Sequence, residues 1–373
     1  MLKSHIRLGK LFGIPVNIDV SWLLIFIWVT WSLAGSYFPQ RHLSWSTALT
    51  WGVAVVTSLL FFASVLLHEL GHALVARSQG TPVSEITLFI FGGVAQIADE
   101  PESPGKEFRM ALVGPLISLV LSAFFGLLYL ATRRADGPVS AVGSFLAGVN
   151  LSLGLFNLIP GFPLDGGRVL RAVLWAARRD LTQATRWASW VGQAVAYLFI
   201  LSGIVSIFRG DWLGGVWIAF IGFFLDNAAR SAYHQLTLRR LLDGHIVGEI
   251  MSQECVLLPP QLTLDVFVEQ YLLPRGQRCF SVGNRERVLG LLTVHNVSMV
   301  PRERWTATHV ADVLTPLDRL RVVAPSTSLW DALQQMTKDG VNQLPVLKDG
   351  ELQGMLTREG LLTFIHNRSQ LGI

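Results

Sequence analysis

The sequence predicts a membrane α-helical bundle of six transmembrane helices with a membrane-associated β-hairpin, followed by a cytosolic α/β tandem module. Three observations lead there. The chain of 373 residues is 51% hydrophobic and only 15% charged, a balance unusual for a soluble globular chain. Apolar runs near 20–38, 48–76, 107–131, 139–159, 187–208 and 212–232 each approach or exceed the roughly 20 helical residues that cross a hydrocarbon core. Beyond about residue 244 these runs shorten, and a mixed helix and strand pattern repeats at an offset of 63 to 64 residues.

The first element, MLKSHIRLGK, is basic, but the apolar run after it is long and lacks a small-residue cleavage site, so it reads as a retained segment. Six crossings then place fourteen flanking Lys and Arg on the side of both termini, against Arg41, Arg133, Arg134 and Arg209 on the other. That asymmetry predicts cytoplasmic termini, with Arg133-Arg134 a local exception. The same loop positives account for the net charge of +4; no dense basic stripe interleaved with aromatics points to nucleic acid. Cys255 and Cys279 stand in no Cys-x-x-Cys or Cys/His metal spacing, so a reduced compartment is expected.

Between the second and third crossings lies TPVSEITLFIFGGVAQIADE, rich in β-branched and aromatic residues and interrupted by Gly92-Gly93. It predicts a hairpin. At membrane depth such backbone must be buried in protein or face a watery cavity, because lipid cannot satisfy its N–H and C=O groups. Pro82 and the acidic run Asp99 to Glu102 fit an ordinary cytoplasmic hairpin as well.

The second crossing ends in VLLHELGHALVAR. His68 and His72 are four apart, so on a helix both imidazoles project from one face, where one metal ion can take both. Glu69 points near the same centre without being needed as a ligand. Ionisable groups this deep in an apolar run are costly and usually functional. A catalytic zinc site normally has a third protein ligand and one open position. Near the end of the fourth crossing stands NLIPGFPLDGGRVLRA, where Pro160, Gly161 and Pro163 interrupt the helix and Gly166-Gly167 follow a carboxylate, Asp165. Alone, Asp165 fits a helix N-cap equally well; beside the histidine pair it is the third ligand.

The two motifs in this order resemble the site-2 protease family of intramembrane metalloproteases. The resemblance covers about 1–235 and rests on His68, Glu69, His72, Gly92, Gly93, Gly114, Pro115, Asn157, Pro160, Pro163, Asp165, Gly166, Gly167 and Arg168. It implies a zinc endopeptidase, with Zn2+ on His68, His72 and Asp165, Glu69 as general base, Asn157 facing the substrate or its developing oxyanion, and the hairpin around Gly92 and Gly93 binding an unwound substrate segment. Gly114 and Pro115 are expected to serve close helix packing. Asp19 departs from the pattern, in which His is common. The implied partners are the lipid bilayer and single-pass membrane proteins: an anti-sigma factor, a membrane-tethered transcription factor or a remnant signal peptide. The implied setting is the cytoplasmic membrane of a bacterium or archaeon. A channel or transporter would instead need charged or carbonyl-rich groups along a pathway, and a metal-free scaffold would not keep three ligands and a base.

In the C-terminal part Val247 aligns with Val310, Thr263 with Thr327, and GLLTVHN (290–296) with GMLTREG (354–360). The repeat resembles a tandem pair of cystathionine-β-synthase (CBS) domains, implying a regulatory or dimerisation module. The resulting division is 1–240 for the transmembrane metalloprotease domain, 245–306 for the first CBS domain and 307–373 for the second. Nucleotide-binding CBS domains commonly end this stretch with an Asp on the ribose; here Asn296 and Gly360 stand there, although Thr293 and Thr357 are kept. Weak or absent nucleotide binding is expected, with capping of the cytoplasmic face, homodimerisation or gating of access as the remaining roles.

Overall fold

The computed structural model describes residues 5–90, 92–97, 101–135, 137–253, 256–275, 279–283, 288–349 and 351–371. Asp99 and Cys255 lie outside them. The chain forms two compact units, 1–234 and 235–373.

In the first unit, strands β1 (His5–Leu11) and β2 (Ile14–Asp19) precede helix α1 (Val20–Ser32), which a π-helical turn, Leu33–Tyr37, extends. Asp19 caps α1, its Oδ1 accepting the Ser21 N–H at 2.9 Å, so this residue has a local structural task. Helix α2 (Thr47–Ser78) begins at Ser46, whose Oγ accepts the Leu49 N–H at 3.3 Å. After strands β3 (Val83–Phe89) and β4 (Gly92–Ile97) come helices α3 (Pro104–Thr132) and α4 (Pro138–Asn157), each opened by a proline where an N–H would have no partner. The break that follows leads to α5 (Asp165–Arg178), α6 (Leu181–Phe208) and α7 (Trp212–Leu242).

Six of these helical stretches are long and apolar enough to cross a membrane: Val20–Tyr37, Thr47–Ser78, Pro104–Ala135, Pro138–Asn157, Leu181–Phe208 and Trp212–Leu242. Their packing is that of a bundle in lipid. Large apolar side chains such as Leu24, Trp28, Val120, Phe124, Leu198 and Leu201 point outward, while Ala54, Ala73, Ala76, Ala111, Ala188 and Ala196 are buried. Lipid is as apolar as leucine, so helices associate through close contact of small residues and through buried hydrogen bonds. Thr30 Oγ1 donates to Ser58 Oγ at 2.9 Å between α1 and α2. The fully buried Asn150 Nδ2 donates to Leu146 O at 2.9 Å and to Ser64 Oγ at 3.3 Å, tying α4 to α2.

The expected hairpin is β3–β4, antiparallel with Thr87 opposite Val94. The sequence had shown only half of the sheet, whose full order is β1-β2-β3-β4 with β2 and β3 parallel. Strand β1 reads as a basic flank because the side chains of residues 6–11 are exposed and give no buried face. The sheet is anchored on α2 through Ile14, Ile86, Leu70 and Ala73.

The second unit holds two similar cores. One gathers Leu258, Leu264, Phe267, Phe280, Val282 and Leu292 around strands β5 (Leu257–Leu258), β6 (Cys279–Gly283), β7 (Val288–Thr293) and β8 (Thr315–Pro316). The other gathers Leu329, Ala332, Met336, Leu344, Val346 and Leu356 around strands β9 (Gln343–Lys348) and β10 (Glu351–Thr357). The repeat is thus physical, but its first residues change places. Val247 packs with Leu329 and Val346, whereas Val310 packs with Leu264 and Phe280. Bridges Ile246 to Ser328 and Thr263 to His309 seal the exchange.

Candidate active site

Helix α2 presents His68 and His72 one turn apart, both buried. Helix α3 fixes their rings from behind. His72 Nδ1 lies 2.6 Å from Met110 O, and His68 Nδ1 lies 2.8 Å from Ser118 Oγ. A carbonyl only accepts, so Nδ1 of His72 carries the hydrogen and Nε2 keeps its lone pair for a ligand. Both Nε2 atoms lie 3.1 Å from Asp165 Oδ2.

Asp165 is the first residue of α5, and no side chain caps that helix at Leu164. Its carboxylate serves the histidines. The helix reaches them because the loop 158–164 folds tightly onto its first turn. A Cβ at Gly166 would lie 2.3 Å from Leu158 O, and one at Gly167 would lie 2.3 Å from the Gly161 carbonyl carbon. These two glycines therefore provide close approach, and both lie inside the helix.

The three atoms fit a metal ion. They lie within 4.8 Å of one another, and ligands about 2.0 Å from a tetrahedral zinc stand roughly 3.3 Å apart, close to the 3.1 Å found between each Nε2 and Oδ2. Two imidazoles and one carboxylate are a donor set that zinc accepts. Space for the ion comes from Gly114 of α3: a Cβ there would sit 2.2 Å from His72 Nε2 and 2.6 Å from His68 Nε2. The sequence assigned Gly114 to helix packing. It faces the ligand atoms instead, and any side chain would fill the cradle.

Glu69 meets the hairpin. Gly93 of β4 lies against its methylene group. Gly92 beside it has a φ of +129° with open space around a would-be Cβ. Asn157, the last residue of α4, donates its Nδ2 to Leu153 O at 3.0 Å.

The sequence missed the α3 partners Met110 and Ser118, since a backbone carbonyl and a lone serine carry no motif. It also missed a buried ion pair. Glu107 of α3 is fully buried, and its Oε1 accepts from Arg171 Nε of α5 at 2.6 Å and from the other guanidinium nitrogen Nη2. The guanidinium lies 5.1 Å from the Phe162 ring centre. Glu107, Met110, Gly114 and Ser118 recur every three or four residues, so one face of α3 holds α5, both histidine rings and the cradle.

A helical membrane bundle with two histidines and a carboxylate converging beside a glutamate defines a membrane-embedded metallopeptidase. The pattern of Peptidase family M50 matches residues 56–134 and 132–201, and that of the CBS domain matches 310–367. Rip3 of Mycobacterium tuberculosis is 35% identical over 352 residues, spanning 94% of this chain and 89% of Rip3. The chain belongs to peptidase family M50, the site-2 protease family of zinc metalloproteases, and carries a C-terminal CBS domain. The zinc metalloprotease MJ0392 of Methanocaldococcus jannaschii is 25% identical over 363 residues, 97% of this chain and 96% of that one. A solved site-2 protease from Methanocaldococcus jannaschii, 28% identical, covers 61% of this chain and 95% of its own with a TM-score of 0.43.

Proposed function

We propose that the protein is an intramembrane endopeptidase that cuts the transmembrane segments of single-pass substrates, with His68, His72 and Asp165 holding zinc and Glu69 as general base. The observation that carries the reading is the convergence of both Nε2 atoms on Asp165 Oδ2 next to a glutamate that no ligand role requires. Zinc, when bound, supplies Lewis acidity that polarises the scissile carbonyl and acidifies water.

The chain's own residues do the rest. Glu69 takes a proton from the attacking water as its oxygen bonds to the carbonyl carbon, then delivers it to the leaving amine as the C–N bond breaks. Gly93 leaves the space in which that side chain stands. Met110 and Ser118 hold the imidazoles in one orientation, so no ring has to reorganise during turnover. Asn157 meets the substrate or the developing oxyanion once its amide leaves Leu153 O; an amide donor suits that task.

A substrate helix presents its carbonyls to its own backbone and must unwind before it can be cut. Strand β4 is the last strand in the sheet order, and an edge strand pairs readily with an extended segment. Substrates of this kind are anti-sigma factors, membrane-tethered transcription factors and remnant signal peptides. Both termini and the 245–306 and 307–373 repeats are cytoplasmic in this reading, the repeats acting as a regulatory or homodimerisation module. The test is co-expression of tagged single-pass candidates with wild type or Glu69→Gln. A product seen only with wild type supports the reading, and one formed equally with both overturns it.

A further inference from the structure

At the end of the bundle away from the β3–β4 hairpin, three spans leave a polar pocket of about 280 Å³ lined by Tyr37, Arg41, His42, Tyr129, Ser140 and Ser144. Tyr37 ends the first span, Tyr129 stands in the last turns of Pro104–Ala135, and Ser140 lies in the first turn of Pro138–Asn157. The pocket therefore sits at the depth of lipid head groups. We propose that it binds the phosphate of an anionic membrane lipid.

Four observations converge on that ligand. The guanidinium of Arg41, an exposed residue, lies 3.9 Å from the Tyr37 ring centre, and its one backbone contact, to Tyr37 O, is 3.5 Å long. Most of its donors remain free to grip an oxyanion. Helix α4, 20 residues long, opens at the pocket with Pro138, and the N–H groups of its first turn and its dipole favour negative charge there. Ser140 is only 5% exposed, lines the pocket, and its hydroxyl makes no hydrogen bond among the described residues. Its oxygen is not among the buried unsatisfied atoms, so it stands open to the pocket and can donate to a ligand oxygen there.

The fourth observation names the source of the phosphate. The loop that carries Arg41 and His42 also carries Leu43, 91% exposed, and His42 stacks on Trp45 with ring centres 4.3 Å apart. Cation, exposed leucine and tryptophan on one loop are the pattern of a segment seated in the membrane interface. Lipid is then the local source of phosphate.

The full-length protein, purified in neutral detergent with equal amounts of phosphatidylglycerol and phosphatidylcholine, is weighed intact with its bound lipids. The expected result is one retained phosphatidylglycerol. Retention should fall about tenfold or more in Arg41→Gln, as expected for loss of one charge-assisted contact, and by a smaller factor in Ser140→Ala. The double variant Arg133→Gln/Arg134→Gln, altered in exposed cations outside the lining, should match wild type. Zinc content checks that each variant is folded. Equal retention of both lipids by wild type, or an equal loss in the double variant, would overturn the site in favour of diffuse surface charge. Lipid that stays bound as inorganic phosphate is added supports the lipid source; displacement by phosphate would reassign the pocket to the free ion.

Discussion

Gly93 leaves empty the space that Glu69 needs: a Cβ at Gly93 would lie 2.4 Å from Glu69 Cγ and 3.2 Å from its carboxyl carbon. The hairpin and the proposed base therefore pack as one unit. Gly93→Ala should push the Glu69 side chain off its line and lower kcat by roughly tenfold to a hundredfold, part of the 10²–10⁴ that a positioned base supplies. Zinc content should stay at the wild-type level. The neighbouring Gly92→Ala meets open space but a φ of +129°, so it should cost stability first. Thermal unfolding, zinc analysis and turnover of the two variants separate the cases, and equal loss of zinc in both would make the hairpin merely structural.

Glu107 and Arg171 are expected to hold α5, and with it Asp165, against the histidines. Glu107→Gln removes the carboxylate charge that the buried Arg171 guanidinium faces on α3, which weakens the tie between α3 and α5. Zinc should then be lost to a chelator at least several-fold faster than from wild type. Arg171→Lys, which keeps the charge but not the fork, should fall between the two. Chelator competition followed over time measures this; unchanged zinc release in Glu107→Gln would show that the pair does not steady the ligand.

The C-terminal repeats should bind adenine nucleotides weakly. Asn296 Oδ1 already accepts from Thr293 N–H at 2.9 Å and Thr293 Oγ1 at 2.6 Å, and its Nδ2 donates to Thr315 Oγ1 at 3.1 Å. In the other repeat Thr357 Oγ1 accepts the Gly360 N–H at 3.1 Å. Thr293, Asn296 and Thr357 are thus engaged within the chain. Calorimetric titration of ATP, ADP and AMP into the full-length protein should give dissociation constants weaker than about 10 μM, roughly 7 kcal/mol. Tighter binding would restore a nucleotide-sensing role.

What the sequence showed of this molecule follows from which interactions are local. His68 and His72 were legible because helical spacing alone puts them on one face, and the crossings were legible because lipid demands long apolar runs. Gly114 was visible as a residue but not in its role, since the distance from its Cα to two imidazoles on another helix is set by packing. Met110 and Ser118 act through a carbonyl and a hydroxyl and have no signature. The exchange of Val247 and Val310 between the two C-terminal cores was equally hidden, because aligned residues in a repeat look the same whichever core they enter.

The account rests on the separation of ligand from base, and one measurement addresses it: bound zinc and product formation in purified wild type, Glu69→Gln and Asp165→Ala. Asp165→Ala removes an oxygen 3.1 Å from both Nε2 atoms and should lose zinc and cleavage together. Glu69→Gln should retain zinc near the wild-type level while cleavage falls at least about a hundredfold. Undiminished cleavage by Glu69→Gln, or full zinc occupancy in Asp165→Ala, would contradict the proposed centre.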